Sequence, residues 1–137
     1  ASWRYQVMDL TVFEGWIRNH QKPGRPFWVA ELNHKIVGYS CLSDFRSGEG
    51  YWPCAENSVY VRPEYQGLGI GRKLMQLILD EGRDAGVKAV IAAIDADNQS
   101  SIQFHQQFGF KECGYLKNIG RKQDTWLSLV LMQCDLA

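Results

Sequence analysis

Three glycines at alternate positions, in the segment from Gly67 to Arg72, are the most informative feature of this chain. A run of β-branched and aromatic residues, Val59 to Arg62, precedes them, and the basic pair Arg72 and Lys73 follows. Alternating glycines let the backbone turn its N–H groups inward, and the start of a helix adds the positive end of its dipole. We therefore predict a pocket for a phosphorylated ligand, bound by backbone N–H groups of Gly67, Leu68, Gly69, Ile70, Gly71 and Arg72.

The spacing of the glycines excludes two common phosphate-binding motifs. A nucleotide-triphosphate loop needs Gly-x-x-x-x-Gly-Lys-Ser/Thr, but the fifth residue after Gly67 is Arg72 and no hydroxyl follows Lys73. The dinucleotide fingerprint needs Gly-x-Gly-x-x-Gly, whereas this chain has Gly-x-Gly-x-Gly. The pattern that remains is Gln-x-x-Gly-x-Gly, from Gln66 to Gly71. Taken alone, it also fits a plain glycine turn before a surface helix.

Length and composition indicate one globular domain over residues 1–137. Apolar residues make up 45% of the chain and charged residues 22%, and 15 lysines and arginines balance 15 aspartates and glutamates. With no net charge, we expect neither nucleic acid nor an anionic membrane as a partner. No apolar run reaches membrane-spanning length, and the start of the chain does not resemble a secretory signal.

The cysteines and histidines are scattered along the chain. No Cys-x-x-Cys pair occurs among Cys41, Cys54, Cys113 and Cys134, which predicts reduced and mostly buried thiols in a cytoplasmic protein. The histidines are too dispersed for a local metal motif: His20, His34 and His105. We therefore expect no metal site.

Hydrophobic periodicity and turn signals predict the elements that position the glycine segment. In chain order they are a helix over 9–19 capped by Asp9, strands over 27–32 and 35–43 around an Asn33-His34 turn, a loop over 46–53, a strand over 58–62, a helix over 70–85 ending at Gly86, a strand over 88–94, a helix over 98–108 ending at Gly109, and strands over 110–116 and 125–133. The wholly apolar strand over 88–94 is typical of a strand that is covered on both faces and parallel to its neighbour. The predicted fold class is a layered α/β (α+β) sandwich.

Several motifs in one order carry a family resemblance. Residues 56–63 read Glu-Asn-Ser-Val-Tyr-Val-Arg-Pro, with Gly38-Tyr39 and Asp44-Phe45-Arg46 upstream. Downstream, residues 92–98 read Ala-Ala-Ile-Asp-Ala-Asp-Asn, and Ser101-Ile102 lead to His105 and a Phe-Gly-Phe ending. Together with Gln-x-x-Gly-x-Gly, these segments resemble the phosphinothricin and methionine-sulfoximine acetyltransferase branch of the GCN5-related N-acetyltransferase (GNAT) superfamily.

The resemblance implies a fold, a reaction and an assembly. The fold would be a mixed central sheet flanked by helices. The reaction would be transfer of acetyl from acetyl-CoA, in a ternary complex and without a metal, to the α-amino group of a small amino-acid-like substrate. Members of the branch form homodimers. They also begin with a strand and a helix that would precede Ala1, so we expect this chain to lack both.

The resemblance also implies which residues bind acetyl-CoA. The pantetheine arm would pair like an added strand with the backbone of Val59, Tyr60 and Val61, and the N–H of Tyr60 or Val61 would face the thioester oxygen. The pyrophosphate would occupy the loop from Gly67 to Arg72. Asn98 matches a cofactor-contacting asparagine of the family, although it would also serve as a helix N-cap.

Two residues are candidates for proton transfer. The resemblance makes Glu56 the general base, placed two residues before the strand begins, with its pKa raised by apolar neighbours. The alternative is a solvated loop glutamate. His105 occupies the place where many acetyltransferases carry a tyrosine that protonates the departing thiolate. A packed, hydrogen-bonded core histidine fits the sequence equally well.

Arg46 is the candidate clamp for a substrate carboxylate, because a guanidinium holds two oxygens in a fixed fork. A surface loop arginine is the alternative. The remaining predicted substrate contacts lie beside Arg46 and Glu56: Ser47, Gly48, Asn57 and Ser58. Trp3, Trp16, Trp28, Trp52 and Trp126 exceed what a small core needs, so we expect some of them at a substrate pocket or a subunit interface.

The sequence is also compatible with two other functions. An acetyltransferase for a protein N-terminus, a polyamine or an aminoglycoside would keep the same cofactor site. For polycationic acceptors we would expect an acidic loop, but the 46–53 segment has one glutamate, Glu49, against Arg46. A non-catalytic acyl-CoA-binding module would keep the glycines without the base, so Glu56 at its motif position argues against it.

Overall fold

A computed structural model describes residues 11–13 and 22–136, which form a seven-stranded mixed sheet and two α-helices. The strands are β1 (Thr11–Phe13), β2 (Phe27–Leu32), β3 (Lys35–Asp44), β4 (Cys54–Val61), β5 (Ala89–Asp95), β6 (Lys111–Lys122) and β7 (Thr125–Asp135). The helices are α1 (Ile70–Ala85) and α2 (Gln99–Gln106). The strand order is β1-β2-β3-β4-β5-β7-β6, and every neighbouring pair is antiparallel except β4–β5. The mixed sheet with flanking helices confirms the predicted fold class.

The β2–β3 hairpin forms where the sequence predicts it. Asn33 and His34 both have positive φ angles, 52° and 64°, as a tight two-residue hairpin turn requires. β3 then pairs with β4 along seven positions, from Gly38 opposite Val61 to Asp44 opposite Ala55. β4 is therefore hydrogen-bonded to β3 along one of its two edges from Ala55 to Val61.

β4, α1 and β5 form a β-α-β unit whose two strands separate. They pair in parallel at three positions only, and the last pair joins Glu56 to Ile91. Beyond that point β5 pairs with β7 up to Asp95, while β4 stays paired with β3 up to Val61. A gap therefore opens inside the sheet between the second half of β4 and the second half of β5.

One face of the sheet packs against both helices. The larger core cluster joins Met75 and Ile78 of α1 and Ile102 of α2 to side chains of β3, β4, β5 and β7. α1 also packs closely on β3, since a Cβ at Gly82 would lie 2.8 Å from the Leu42 side chain. A smaller cluster on the other face contains Phe27, Val29 and Cys41. α1 ends at Gly86, whose φ of 100° confirms it as the predicted C-terminal cap.

Some sequence predictions need correction. The helix predicted over 9–19 is wrong over Thr11–Phe13, which forms β1 and pairs with β2, and the rest of it lies outside the described residues. β4 begins at Cys54 rather than at Ser58, so Glu56 lies within the strand and not before it. The apolar spacing of the 70–85 helix predicts Ile70, Leu74, Leu77 and Ile78 on its buried face; Leu77 is only half-buried, whereas Met75 and Leu79 are buried together with the other three.

β6 and β7 form a long hairpin that ends the sheet. The pairing shifts between Leu116 and Gly120, where β6 carries two extra residues and Asn118 has a φ of 52°. Large apolar side chains stay exposed on this hairpin: Tyr115, Leu116, Ile119 and Trp126.

Candidate functional site

The separation of β4 from β5 opens a cleft at the C-terminal ends of both strands. One part has a volume of about 320 Å³ and is lined by β4, the end of β5, Asn98, Ser101 and His105. A second part, of about 430 Å³, continues past Val59 and Val61 to Gln66, Gly71 and Phe104. Both parts share Val59, Tyr60, Asn98 and Ser101. The cleft therefore runs from the end of the β4–β5 pairing to the N-terminus of α1.

The register of β4 shows which backbone groups face the cleft. The N–H of Arg62 donates to Val37 O at 2.8 Å, so residues 37 and 62 form a hydrogen-bonded antiparallel pair. Because such pairs alternate, Tyr60 is hydrogen-bonded to β3, whereas Val59 and Val61 direct their N–H and C=O groups toward the gap. An extended ligand in the cleft would meet these groups as a neighbouring strand would. For the oxyanion donor, the register favours Val61 over Tyr60.

The glycine segment forms an open loop before α1. Gly67 and Gly69 have φ angles of 80° and 86°, and a Cβ at either position would meet nothing within 4 Å. The constraint on these two residues is therefore their backbone conformation, which other residues rarely adopt. Gln66, the first residue of the motif, donates from Nε2 to Val61 O at 3.1 Å and so ties the loop to the end of β4.

α1 begins against α2 at the far end of the cleft. A Cβ at Gly71 would lie 3.6 Å from the Phe104 ring, in ordinary contact. Arg72 donates to Gln107 Oε1 at 2.5 Å, and its guanidinium lies over the Phe108 ring at 5.2 Å. The Arg72 side chain is therefore directed to the end of α2 rather than left free beside the loop.

Asn98 caps α2 at the rim of the cleft. Its Oδ1 accepts from the Ser101 N–H at 3.1 Å and from Ser100 Oγ at 3.0 Å. This is the N-cap geometry that the sequence offered as one reading of Asn98. The residue also lines both parts of the cleft, so its capping role and a ligand contact are compatible.

Glu56 lies where the pairing of β4 with β5 ends. Its neighbours across the sheet are Ser43 in β3 and Ile91 in β5, and the side chain is half-buried. Burial raises the pKa of the Glu56 carboxyl above its ordinary value. The alternation of a strand places Glu56 on the same side of β4 as Ser58 and Tyr60. Glu56 lines neither part of the cleft, so its carboxyl of raised pKa lies beside the cleft, at the end of the β4–β5 pairing.

His105 is buried and both of its ring nitrogens are hydrogen-bonded. Nδ1 lies 2.7 Å from Ser101 O, and Nε2 lies 3.0 Å from Asn57 Nδ2. Because a carbonyl only accepts and an amide nitrogen only donates, Nδ1 carries the proton and Nε2 accepts. Burial lowers the pKa of His105, and the bond to Ser101 opposes this more weakly. Of the two readings of His105, this neutral, saturated ring favours the structural one.

Arg46, Ser47 and Gly48 are exposed on the loop between β3 and β4. Arg46 lies over the Tyr51 ring at 5.1 Å, and it has no ion-pair partner among the described residues. Together with Asp44, Gly48, Glu49 and Trp52 it lines a separate depression of about 430 Å³. Arg46 does not line the β4–β5 cleft, whereas Asn57 and Ser58 do.

Several residues near the site escaped the sequence reading. Tyr39 and Asp95 line the cleft, and Phe104 closes its second part. Tyr39 belongs to a motif that carries the resemblance, and Asp95 is an acidic residue at the end of an apolar strand, so the sequence could have identified both as candidates. No sequence pattern identifies Arg25. It is 3% exposed and donates to the carbonyl oxygens of Trp52 and Cys54 near the start of β4.

Within residues 11–13 and 22–136, no group of three or more His, Cys, Asp or Glu side chains could hold a metal ion. Over the same residues no helix is long and apolar enough to cross a membrane. The four cysteines are free thiols. Cys41 and Cys134 are buried, Cys54 is half-buried and Cys113 is exposed, so the prediction of mostly buried thiols is correct for two of the four.

Residues 1–110 match the model of the acetyltransferase (GNAT) family. The chain is 38% identical over 136 residues to the L-amino acid N-acyltransferase MnaT of Escherichia coli strain K12, covering 99% of this chain and 79% of that protein. It is 36% identical over 136 residues to the L-methionine sulfoximine/L-methionine sulfone acetyltransferase of Salmonella typhimurium, covering 99% of this chain and 80% of that protein.

A solved structure shares the fold. The GNAT superfamily phosphinothricin acetyltransferase from Sinorhizobium meliloti, in complex with AcCoA, aligns with a TM-score of 0.81 at 32% identity. The alignment covers 87% of this chain and 65% of that one.

Proposed function

The chain belongs to the acetyltransferase (GNAT) family, and from that premise we propose that it transfers acetyl from acetyl-CoA to the α-amino group of a small amino-acid-like substrate. The observation that carries the proposal is the half-paired strand β4. The Val59 N–H and C=O and the Val61 N–H of this strand face a cleft, with the glycine loop at one end and a carboxyl of raised pKa at the other. The proposed cofactor-binding groups, oxyanion donor and base would thus lie along one strand.

Acetyl-CoA would bind along this line. The amide-rich pantetheine arm would pair with Val59 and Val61 across the gap that β5 leaves open, because its amides match the spacing of a strand. The pyrophosphate would sit on the N–H groups from Gly67 to Arg72, at the positive end of α1. Asn98 and Tyr60 line the same cleft and would complete the contacts.

Glu56 would act as the general base. A protonated amine has no free lone pair, so its proton must leave before attack on the thioester. A carboxylate whose pKa is raised by burial accepts that proton more readily than a solvated glutamate. The oxyanion that forms would be stabilised by an N–H of β4 that faces the gap, and of Val59 and Val61 it is Val59 that lies nearer Glu56. His105 would hold Asn57 in place rather than protonate the thiolate, since its Nε2 accepts a bond and carries no proton.

Arg46 would bind the carboxylate of the acceptor. It is exposed and has no ion-pair partner among the described residues, so its fork of donors is available. Ser47 and Gly48 lie beside it, and Ser58 and Asn57 face the cleft. The named relatives act on methionine sulfoximine, methionine sulfone and phosphinothricin, and we propose an acceptor of this type.

A homodimer is proposed as the working assembly. The β6–β7 hairpin exposes Tyr115, Ile119 and Trp126, each more than half exposed, and aromatic residues are enriched at subunit interfaces. Replacing Ile119 and Trp126 with Ser should convert a dimer to a monomer in sedimentation equilibrium, and a wild-type monomer would end this part of the proposal. A cytoplasmic location stays a prediction, supported by the free thiols.

The test is a screen of CoA release from acetyl-CoA. Acceptors would be the free amino acids, methionine sulfone, methionine sulfoximine and phosphinothricin, with spermidine, kanamycin and a peptide N-terminus as competitors from other classes. We expect turnover with the amino-acid group and none with the polycations. Faster turnover of a peptide or a polyamine would replace the proposed acceptor, and acetyl-CoA binding without turnover of any amine would indicate a binding module.

A further inference from the structure

One buried arginine, outside the cleft, connects the two ends of the loop that carries Arg46. Arg25 is 3% exposed and directs its guanidinium between the end of β3 and the start of β4. Its Nε donates to Asp44 Oδ1 at 2.7 Å, at the last residue of β3. Its Nη2 donates to Trp52 O at 2.6 Å and to Cys54 O at 3.4 Å, where β4 begins.

The same side chain also fixes Trp52, which lines the depression next to Arg46. The guanidinium lies over the Trp52 ring at 5.2 Å. The ring in turn packs on the turn that carries Arg25, because a Cβ at Gly24 would lie 2.8 Å from it. Arg25 Nη1 completes the set by donating to Gly24 O at 3.0 Å. Four of the five donors of the guanidinium can thus be assigned to bonds among Asp44, Gly24 and the start of β4.

These bonds lie between the two groups assigned to the acceptor. Asp44 is two residues before Arg46, and Cys54 is two residues before Glu56. The Cys54 thiol lies near both Arg25 and Glu56. Burial raises its pKa, the positive charge of Arg25 lowers it, and the negative charge of Glu56 raises it. The loop between Asp44 and Cys54 contains only a short 3₁₀ turn, Glu49–Tyr51, so it has little structure of its own to hold Arg46.

We propose that Arg25 is a positioning residue for the acceptor site, which sets the place of Arg46 relative to Glu56 by joining both ends of the 45–53 loop. The inference rests on the proposed roles of Arg46 and Glu56. A lysine cannot replace it, because a single ammonium cannot reach Asp44 and the two carbonyls at the same time. Arg25 donates to Gly24, Asp44, Trp52 and Cys54, none of which belongs to the cofactor loop from Gly67 to Arg72.

The test compares Arg25→Lys with Arg83→Lys. Arg83 is a matched control, since its Nε also donates to a backbone carbonyl, Leu136 O at 3.2 Å, and its Nη1 to Asp80, away from the loop. We expect Arg25→Lys to raise KM for the amino-acid acceptor by about tenfold to a hundredfold, the scale of a misplaced binding group, with kcat and the Kd of acetyl-CoA changed less than about threefold. Arg83→Lys should leave all three near wild type.

A second variant and a second measurement keep the test decisive. Asp44→Asn removes the ion pair at a carboxylate whose side chain is 56% exposed, so the variant should fold, and KM should rise in the same direction but less. Trypsin cleavage after Arg46, measured by mass spectrometry against cleavage after Lys122, should be faster in both variants because the loop is released.

Wild-type KM and wild-type cleavage in both Arg25→Lys and Asp44→Asn would overturn the inference. So would a loss in which acceptor KM and acetyl-CoA Kd rise together, because that is general destabilisation. If the wild type acetylates no amino acid, the proposed function fails instead, and the cleavage rates still decide whether Arg25 orders the loop.

Discussion

Replacing Glu56 with glutamine tests the assignment of the base most directly. The change keeps the size of the side chain and its place in β4 between Ser43 and Ile91, but it removes the proton acceptor. Loss of a general base lowers kcat by about 10²- to 10⁴-fold, which is about 3 to 5 kcal/mol of transition-state stabilisation. The structure indicates a value of at least about a hundredfold, since His105 has both ring nitrogens occupied and offers no replacement base.

The raised pKa of Glu56 predicts how the activity and the stability of the protein change with pH. Burial raises the pKa of Glu56, so in the wild type kcat/KM should fall as the pH falls through a value above the ordinary 4.5 of a glutamate. The folded state then binds the proton more tightly than the unfolded state. Glu56 therefore favours folding at low pH, and this contribution is lost as the pH rises through the raised pKa. At pH 7 the variant should be at least as stable as the wild type, although it is less active.

The assay combines stopped-time CoA release from pH 4.5 to 9 with thermal unfolding at pH 7. Glu112→Gln, at an exposed position of β6, serves as the matched control and should behave as wild type. Binding of acetyl-CoA, measured by calorimetry, should be unchanged in both variants. A Glu56→Gln protein with near-normal kcat and an unchanged acidic limb would refute the reasoning, because water or another group would then take the proton.

Three further substitutions test other parts of the site. Gly69→Val should weaken acetyl-CoA binding more than Arg72→Ala in calorimetry, since a φ of 86° excludes a β-branched residue whereas the Arg72 side chain is directed to the end of α2; equal losses would contradict the backbone grip. Arg46→Ala should raise KM for amino-acid acceptors with acetyl-CoA Kd unchanged, and equal turnover of an amino acid and its amide by the wild type would refute the clamp. Asn57→Ala should lower the free energy of unfolding in urea by about 1 to 3 kcal/mol, because it leaves the buried Nε2 of His105 without a donor; a loss below about 0.5 kcal/mol would contradict that bond.

Features set by local sequence could be predicted. The Asn33-His34 turn, the cap at Gly86 and the glycine loop before α1 each depend on a few adjacent residues, and the structure has all three. The resemblance supplied Glu56 and Asn98 as candidates. In the structure Glu56 lies where the β4–β5 pairing ends, and Asn98 lies at the rim of the cleft. Their chemical roles stay predictions.

Features set by tertiary contacts could not be predicted. Thr11–Phe13 lies in a segment of helical periodicity, yet it pairs with β2. Glu56 and Asn57 are polar, so the sequence placed the start of β4 after them, but pairing with β3 extends the strand back to Cys54. Arg25 bonds to residues 19 to 29 positions away, and no local pattern marks such a network.

The polar residues that obscured β4 are also the reason why the strand can work as a binding site. A strand inside a sheet normally pairs on both sides, and unpaired N–H and C=O groups within a protein need another partner. Here β4 pairs with β5 at three positions and then leaves the Val59 and Val61 backbone groups facing a cleft. An extended ligand rich in amides can pair with these backbone groups without breaking any strand pairing of the sheet. At the point of separation Asn57 is buried and bonded to His105, whereas Glu56 is half-buried, so the same departure from the apolar pattern places a carboxylate beside the cleft.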